Sequence, residues 1–127
     1  MRVIVEDSAF ADAQQLLDVE VPKASGLPSF FTPGMVFMAL QLFGMDLAND
    51  KPVRSVARLG SRPVLLIHGT ADNYVPVSHA YALQQAGAAN PNLRLWIVPD
   101  AEHVRAFKQF PDEYLKHVIG FFDEFLH

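Results

Sequence analysis

The sequence predicts an α/β protein, a three-layer fold in which a short parallel sheet of about three strands lies between flanking helices. Three observations carry that expectation. Aliphatic runs stand at Val3–Val5, Pro63–His68 and Leu93–Val98. The middle run, PVLLIH, is apolar almost throughout rather than alternating, as expected of a strand covered on both faces. Helical patterns lie between and after the runs, and such a succession implies right-handed crossovers and parallel pairing.

The elements follow in chain order. The first strand, Val3–Val5, leads into Glu6, Asp7 and Ser8. From Leu16 to Arg58 the pattern is less regular. Pro22, Pro28, Pro33 and Pro52 punctuate it, and GLPSFFTPG reads as a turn before a Met-rich helix, Met35–Met45. That helix falls well short of the roughly 20 residues that span a bilayer, so it is expected to be a core or lid helix. After the second strand, a helix over Val77–Ala88 has Pro76 or Ser78 as its start and Gly87 as its stop. The last helix opens at Pro111, with Asp112 and Glu113 suited to the positive end of its dipole. It then places Tyr114, Leu115, Val118, Ile119, Phe122, Phe125 and Leu126 at spacings of three and four, a stripe that must pack on the sheet.

Composition narrows the function. The chain has 127 residues, 50% of them hydrophobic, enough for one domain over residues 1–127 with a core of its own. A net charge of −4 offers no basic face, so neither nucleic acid nor an anionic membrane surface is an expected partner. With no cysteine, disulfides, thiolate nucleophiles and thiolate metal sites are excluded. The opening MRVIVEDSAF is too short in apolar residues for a signal-peptide core, which makes a cytoplasmic location the default expectation.

The chemistry concentrates in two loops. HGTADNYVP follows the second strand and carries Asp72; VPDAEHVRAF follows the third and carries Asp100, Glu102 and His103. Parallel strands send both loops off the same edge, so Asp72 and His103 are expected to meet. A carboxylate on one imidazole nitrogen sets the tautomer and leaves the other nitrogen as a general base.

RPVLLIHGTADNYVPVSHAYAL and LWIVPDAEHVRAFKQFPDEYLKHVIGFFDEFL together resemble the last third of a bacterial α/β-hydrolase, of the type related to serine aminopeptidases, esterases and lysophospholipases. VIVEDSAFAD resembles that family's sixth strand and the turn after it. The resemblance implies that Asp72 is a triad acid, that His103 is the triad base, and that residues 28–50 form a lid-like helical segment of the kind that contacts an acyl chain. Met35, Phe37 and Met38 then become candidate substrate-binding residues. The family's nucleophile elbow, G-x-S-x-G, is absent: no serine stands two residues after a glycine. Ser8 follows the first strand but lacks the sequence signature of a tight strand-to-helix turn.

Two functional readings result. In the first, the chain is a hydrolase of small ester-like substrates built on Asp72 and His103. The nucleophile is then a serine from elsewhere or an activated water. His68 reads first as a strand-end histidine whose ring is satisfied by backbone near Gly69. In the alternative reading, His68, Asp72 and His103 are ligands for Zn²⁺ or a similar ion that would activate that water toward a carboxyl ester or phosphotriester. In the second, the chain is an incomplete, inactive α/β module that oligomerises. Both share one expectation: the open edge of the first strand and the Met-rich helix are buried in a homo-oligomer. His79 reads as solvent-facing and His117 and His127 as surface or tail residues. Glu6, Asp7, Asp100 and Glu102 are possible supporting carboxylates near the site.

Overall fold

The computed structural model describes residues 2–126; His127 lies outside them. In order, the elements are β1 (Ile4–Asp7), α1 (Ala13–Ser25), a 3₁₀ turn (Ser29–Phe31), α2 (Thr32–Phe43), α3 (Pro52–Val56), β2 (Val64–Gly69), α4 (Ser78–Ala86), β3 (Leu93–Val98), α5 (Ala106–Gln109) and α6 (Pro111–Phe125). The sheet order is β1-β2-β3, with both pairings parallel. Ile4 stands opposite Val64, and Val64 opposite Leu93.

Every residue of β2 is buried, because helices cover both faces of the central strand. Side chains alternate across the sheet. Leu65 and Ile67 point to one side, where they join Val98, Ala101, Ala106 and Phe121 beneath α5 and α6. Val64 and Leu66 point to the other, against Leu83 of α4 and Ala11, with Val53 and Val56 of α3 alongside. The expected three layers are present. Of the expected apolar stripe of α6, Tyr114, Val118 and Phe125 pack on the sheet while Leu115, Ile119 and Leu126 are exposed. The residue buried most deeply is Phe121, which the expected stripe did not include and which is 5% exposed.

Strand boundaries move slightly from the expected ones, and one shift matters. β1 runs on to Asp7 rather than ending at Val5, so Glu6 and Asp7 belong to the strand end instead of the loop. Asp7 shares parity with Val5 and faces the α6 layer, while Glu6 is exposed.

The stretch expected to be irregular contains a thirteen-residue helix, α1. Asp12 caps its start by accepting the Gln15 N–H at 3.2 Å, and Gly26 closes it in a left-handed conformation, its N–H on the Pro22 carbonyl at 2.9 Å. Pro22 sits in the last turns, where a missing N–H forfeits only one backbone bond. The short α3 and α5 were also not legible as helices. The Met-rich helix is observed as α2, and only Thr32 and Val36 of it are buried. Phe30, Phe37, Leu42 and Phe43 are each at least 60% exposed. Among the described residues no helix is long and apolar enough to cross a membrane.

His79 departs from expectation. It is 5% exposed, and its Nδ1 accepts the Ala11 N–H at 3.1 Å, tying the segment before α1 to the first turn of α4. Burial pulls its pKa below the ordinary 6.5, helped by nearby His68 and opposed by Asp12. The folded protein therefore favours neutral His79, and the unfolded chain takes up the proton first as pH falls through about 6.5. In urea melts we expect unfolding free energy to decrease from about pH 7 to pH 5, and to decrease less in His79→Gln. An identical slope in the variant would contradict this account.

Candidate active site

The site begins where β2 ends. Gly69 lets two loops touch: a Cβ there would stand 2.0 Å from the Ala101 carbonyl oxygen, so no side chain fits. With the backbones this close, Ala71 donates its N–H to the Ala101 carbonyl at 3.0 Å, and Asp100 donates its own to Thr70 Oγ1 at 2.8 Å. The β2 loop and the β3 loop are thereby joined side by side.

Asp72 occupies the first of these loops, with its side chain completely buried. Its Oδ1 accepts the N–H groups of Tyr74 at 2.9 Å and Val75 at 2.8 Å, closing a carboxylate-capped turn. Its Oδ2 lies 2.8 Å from Nδ1 of His103, in the second loop. Because the carboxylate accepts, Nδ1 carries the proton. The His103 side chain is 33% exposed, and its ring lies obliquely against Tyr74 with centroids 5.5 Å apart. The pair expected from the loop positions is formed, with Nε2 left as the basic nitrogen.

His103 opens onto a cleft of about 890 Å³ along β1, lined also by Glu6, Ser8, Phe10, Leu16 and Tyr74. Val5 and Asp7 of β1 line it too, and among the described residues the outer edge of that strand carries no strand partner.

His68 does not join a metal-ligand set. Its Nε2 stands 2.7 Å from the Val75 carbonyl oxygen, which can only accept, so that nitrogen presents a proton rather than a lone pair. The ring is 1% exposed and lies 3.5 Å from the far oxygen of Asp72. His68 thus braces the turn that holds Asp72, from the other end. His103 in turn offers Asp72 its protonated Nδ1. The expectation of Zn²⁺ on His68, Asp72 and His103 is therefore corrected, and among the described residues no group of three or more His, Asp or Glu side chains is arranged to hold a metal ion.

The other candidates separate. Met35 and Met38 line a shallow apolar groove of about 440 Å³ with Phe31 and Phe43, distinct from the cleft at His103; Phe37 lies outside both. Glu102 pairs with Arg105 at 3.4 Å and Asp100 is exposed, so neither backs the dyad. Asp7 is half-buried at the end of β1. Burial pushes its carboxyl above the ordinary 3.8, against the opposing effects of Ser8, His68, Tyr114 and His103.

Ser8 is a residue whose environment the sequence did not reveal. It is 5% exposed, with a φ of 61°, so a tight strand-end turn does exist there. Its hydroxyl is already engaged, donating to Asp7 Oδ1 at 3.0 Å and accepting the Val104 N–H at 3.0 Å. That occupancy sets it apart from a free nucleophile.

Parallel strands with an acid after one and a hydrogen-bonded histidine after the next place the chain among the α/β-hydrolases. Residues 45–127 match the prolyl oligopeptidase family, Peptidase S9, and the chain belongs to that family. It is 37% identical over 122 residues to the protein YfhR of Escherichia coli K12, across 95% of this chain and 36% of the relative, and 28% identical over 122 residues to YfhR of Salmonella typhi. The chain thus spans about a third of the length of the curated relatives it matches. Among solved structures it is similar to an esterase of Pyrococcus furiosus, with a TM-score of 0.69 at 22% identity over 97% of this chain and 44% of that one. A metagenomic α/β-hydrolase enzyme, MGS-M2, gives 0.58 at 16% over 96% and 56%. The sequence corresponds to the C-terminal part of this fold, as its motifs imply.

The loop contact at Gly69 yields a direct test. Gly69→Ala should lower unfolding free energy by about 2 kcal/mol or more, because the added methyl must push Ala101 and its loop away. Guanidinium melts showing a change within about 0.5 kcal/mol of wild type would contradict the contact.

Proposed function

We propose that Asp72 and His103 are the acid and base of a hydrolase acting on ester-like acyl substrates. The observation that carries this reading is the 2.8 Å bond between the buried carboxylate and Nδ1 of a partly exposed imidazole. In the proposed step, Nε2 of His103 takes the proton from an attacking hydroxyl or water as its oxygen bonds to the acyl carbon. Asp72 stabilises the imidazolium so formed, and the same proton then passes to the departing alkoxide. The acyl part of the substrate would lie along the cleft between Phe10, Leu16 and Tyr74.

The attacking oxygen has two candidate sources. One is water activated directly by His103. The other is a serine on a strand added to the free edge of β1, in keeping with the esterase and peptidase names carried by the structural neighbours and the family. Purified protein should hydrolyse 4-nitrophenyl acetate, with Asp72→Asn and His103→Gln each lowering kcat/KM by roughly 10²–10⁴-fold. Unchanged rates in His103→Gln would overturn the assignment.

A second reading rests on two different observations: the exposed apolar run from Phe30 to Met45, and an outer edge of β1 that carries no strand partner among the described residues. Surfaces of this kind are characteristic of association. On this reading two copies bury α2 and the β1 edge against each other. Light scattering after size exclusion should give a dimer at micromolar concentration, and Phe37→Glu combined with Leu42→Glu should give a monomer. A monomeric wild type would overturn it.

A further inference from the structure

His103 is followed by a backbone conformation that its sequence disfavours. Val104 is β-branched, yet has a φ of 52°, in the left-handed region that such residues avoid. Its side chain is largely exposed, so packing does not force the conformation. A strained residue of this kind persists only where its surroundings over-determine it. The N–H of Val104 points away from its own loop to Ser8 Oγ, 96 residues earlier, at 3.0 Å.

Ser8 is itself held on two sides. Its N–H continues the β1 ladder to the Ile67 carbonyl at 2.9 Å, and its hydroxyl proton goes to Asp7 Oδ1 at 3.0 Å. Donating there leaves the oxygen lone pairs directed at Val104. A chain of polar contacts therefore runs from Asp7 at the end of β1 through Ser8 to the backbone immediately after His103.

The upstream half of the same loop has different anchors. Asp100 is held by Thr70, Ala101 by Ala71, and Glu102 by the Gln109 side chain. Further along, Arg105 donates its N–H to the Glu102 carbonyl at 3.1 Å, closing the loop across His103. Val104 itself, the residue directly after His103, is held by Ser8.

We propose that Ser8 is a positioning residue for His103: its hydroxyl, oriented by Asp7, pins Val104 in the left-handed conformation and so aims the imidazole at Asp72. The inference rests on the proposed role of Asp72 and His103. It assigns Ser8 no contact with substrate, and makes the end of β1 part of the apparatus that orients the base.

The test uses proton NMR of the full chain and needs no substrate. Wild type should show a downfield Nδ1–H resonance that disappears in His103→Gln. Ser8→Gly removes the hydroxyl while suiting a φ of 61°. In a folded Ser8→Gly protein we expect that resonance to broaden away and the Val104 amide to exchange about tenfold faster, consistent with one lost hydrogen bond. Ser8→Cys, nearly isosteric but a weak acceptor, should shift both signals the same way if the glycine variant does not fold. Wild-type behaviour of both signals in either variant would overturn the proposal, as would faster Val104 exchange with an unchanged His103 resonance. Absence of the resonance in wild type would instead overturn the Asp72 and His103 pair itself, a distinct failure.

Discussion

The structure turns on the buried carboxylate of Asp72. A carboxylate with no exposed side-chain surface needs a donor at each lone pair that water cannot reach. Two backbone N–H groups from its own turn and the imidazole N–H of His103 meet that need. The first two shape the turn after β2, and the third draws in the loop after β3. The same demand explains His68, which donates to the Val75 carbonyl and closes the turn from inside. A histidine at a strand end reads in the sequence as satisfied by nearby backbone, with a metal ligand as the alternative; around this carboxylate it is backbone-bound and acts as a brace.

This arrangement depends on backbone contact as much as on side chains. Gly69 has no room for a Cβ against Ala101, and so permits the side-by-side loops that bring Asp72 and His103 within 2.8 Å. Beyond His103, the loop relies on strained backbone at Val104 and on a polar contact from β1. The three strands therefore contribute differently. The loop after β2 carries Asp72, the loop after β3 carries His103, and Ser8 at the end of β1 bonds the backbone after His103 while β1 lines one wall of the cleft.

Much of this was legible in the residues. The apolar run before His68 announced a central strand, and the parallel topology placed Asp72 and His103 on one edge. The α6 pattern foretold its layer, although its buried face is centred on Phe121, outside the expected stripe, and Leu115 and Ile119 face outward. What escaped the sequence was set by tertiary contact. α1 carries a proline near its end, so its pattern reads as broken although its caps are intact. His79 sits in a helical first turn that is ordinarily wet, and is buried because Ala11 docks on it. Ser8 has no local motif, because its partner Val104 lies 96 residues away. Met35 and Met38 have helical spacing, which does not say whether they face a substrate or a second surface; the structure separates them from the cleft at His103.

The claim that Asp72 and His103 act as one unit is tested most directly by a double-mutant cycle on ester hydrolysis. Wild type, Asp72→Asn, His103→Gln and the double variant would be compared by kcat/KM. Residues that act together are strongly non-additive. The account predicts a double variant no slower than His103→Gln alone; losses that multiply across the two substitutions would contradict it.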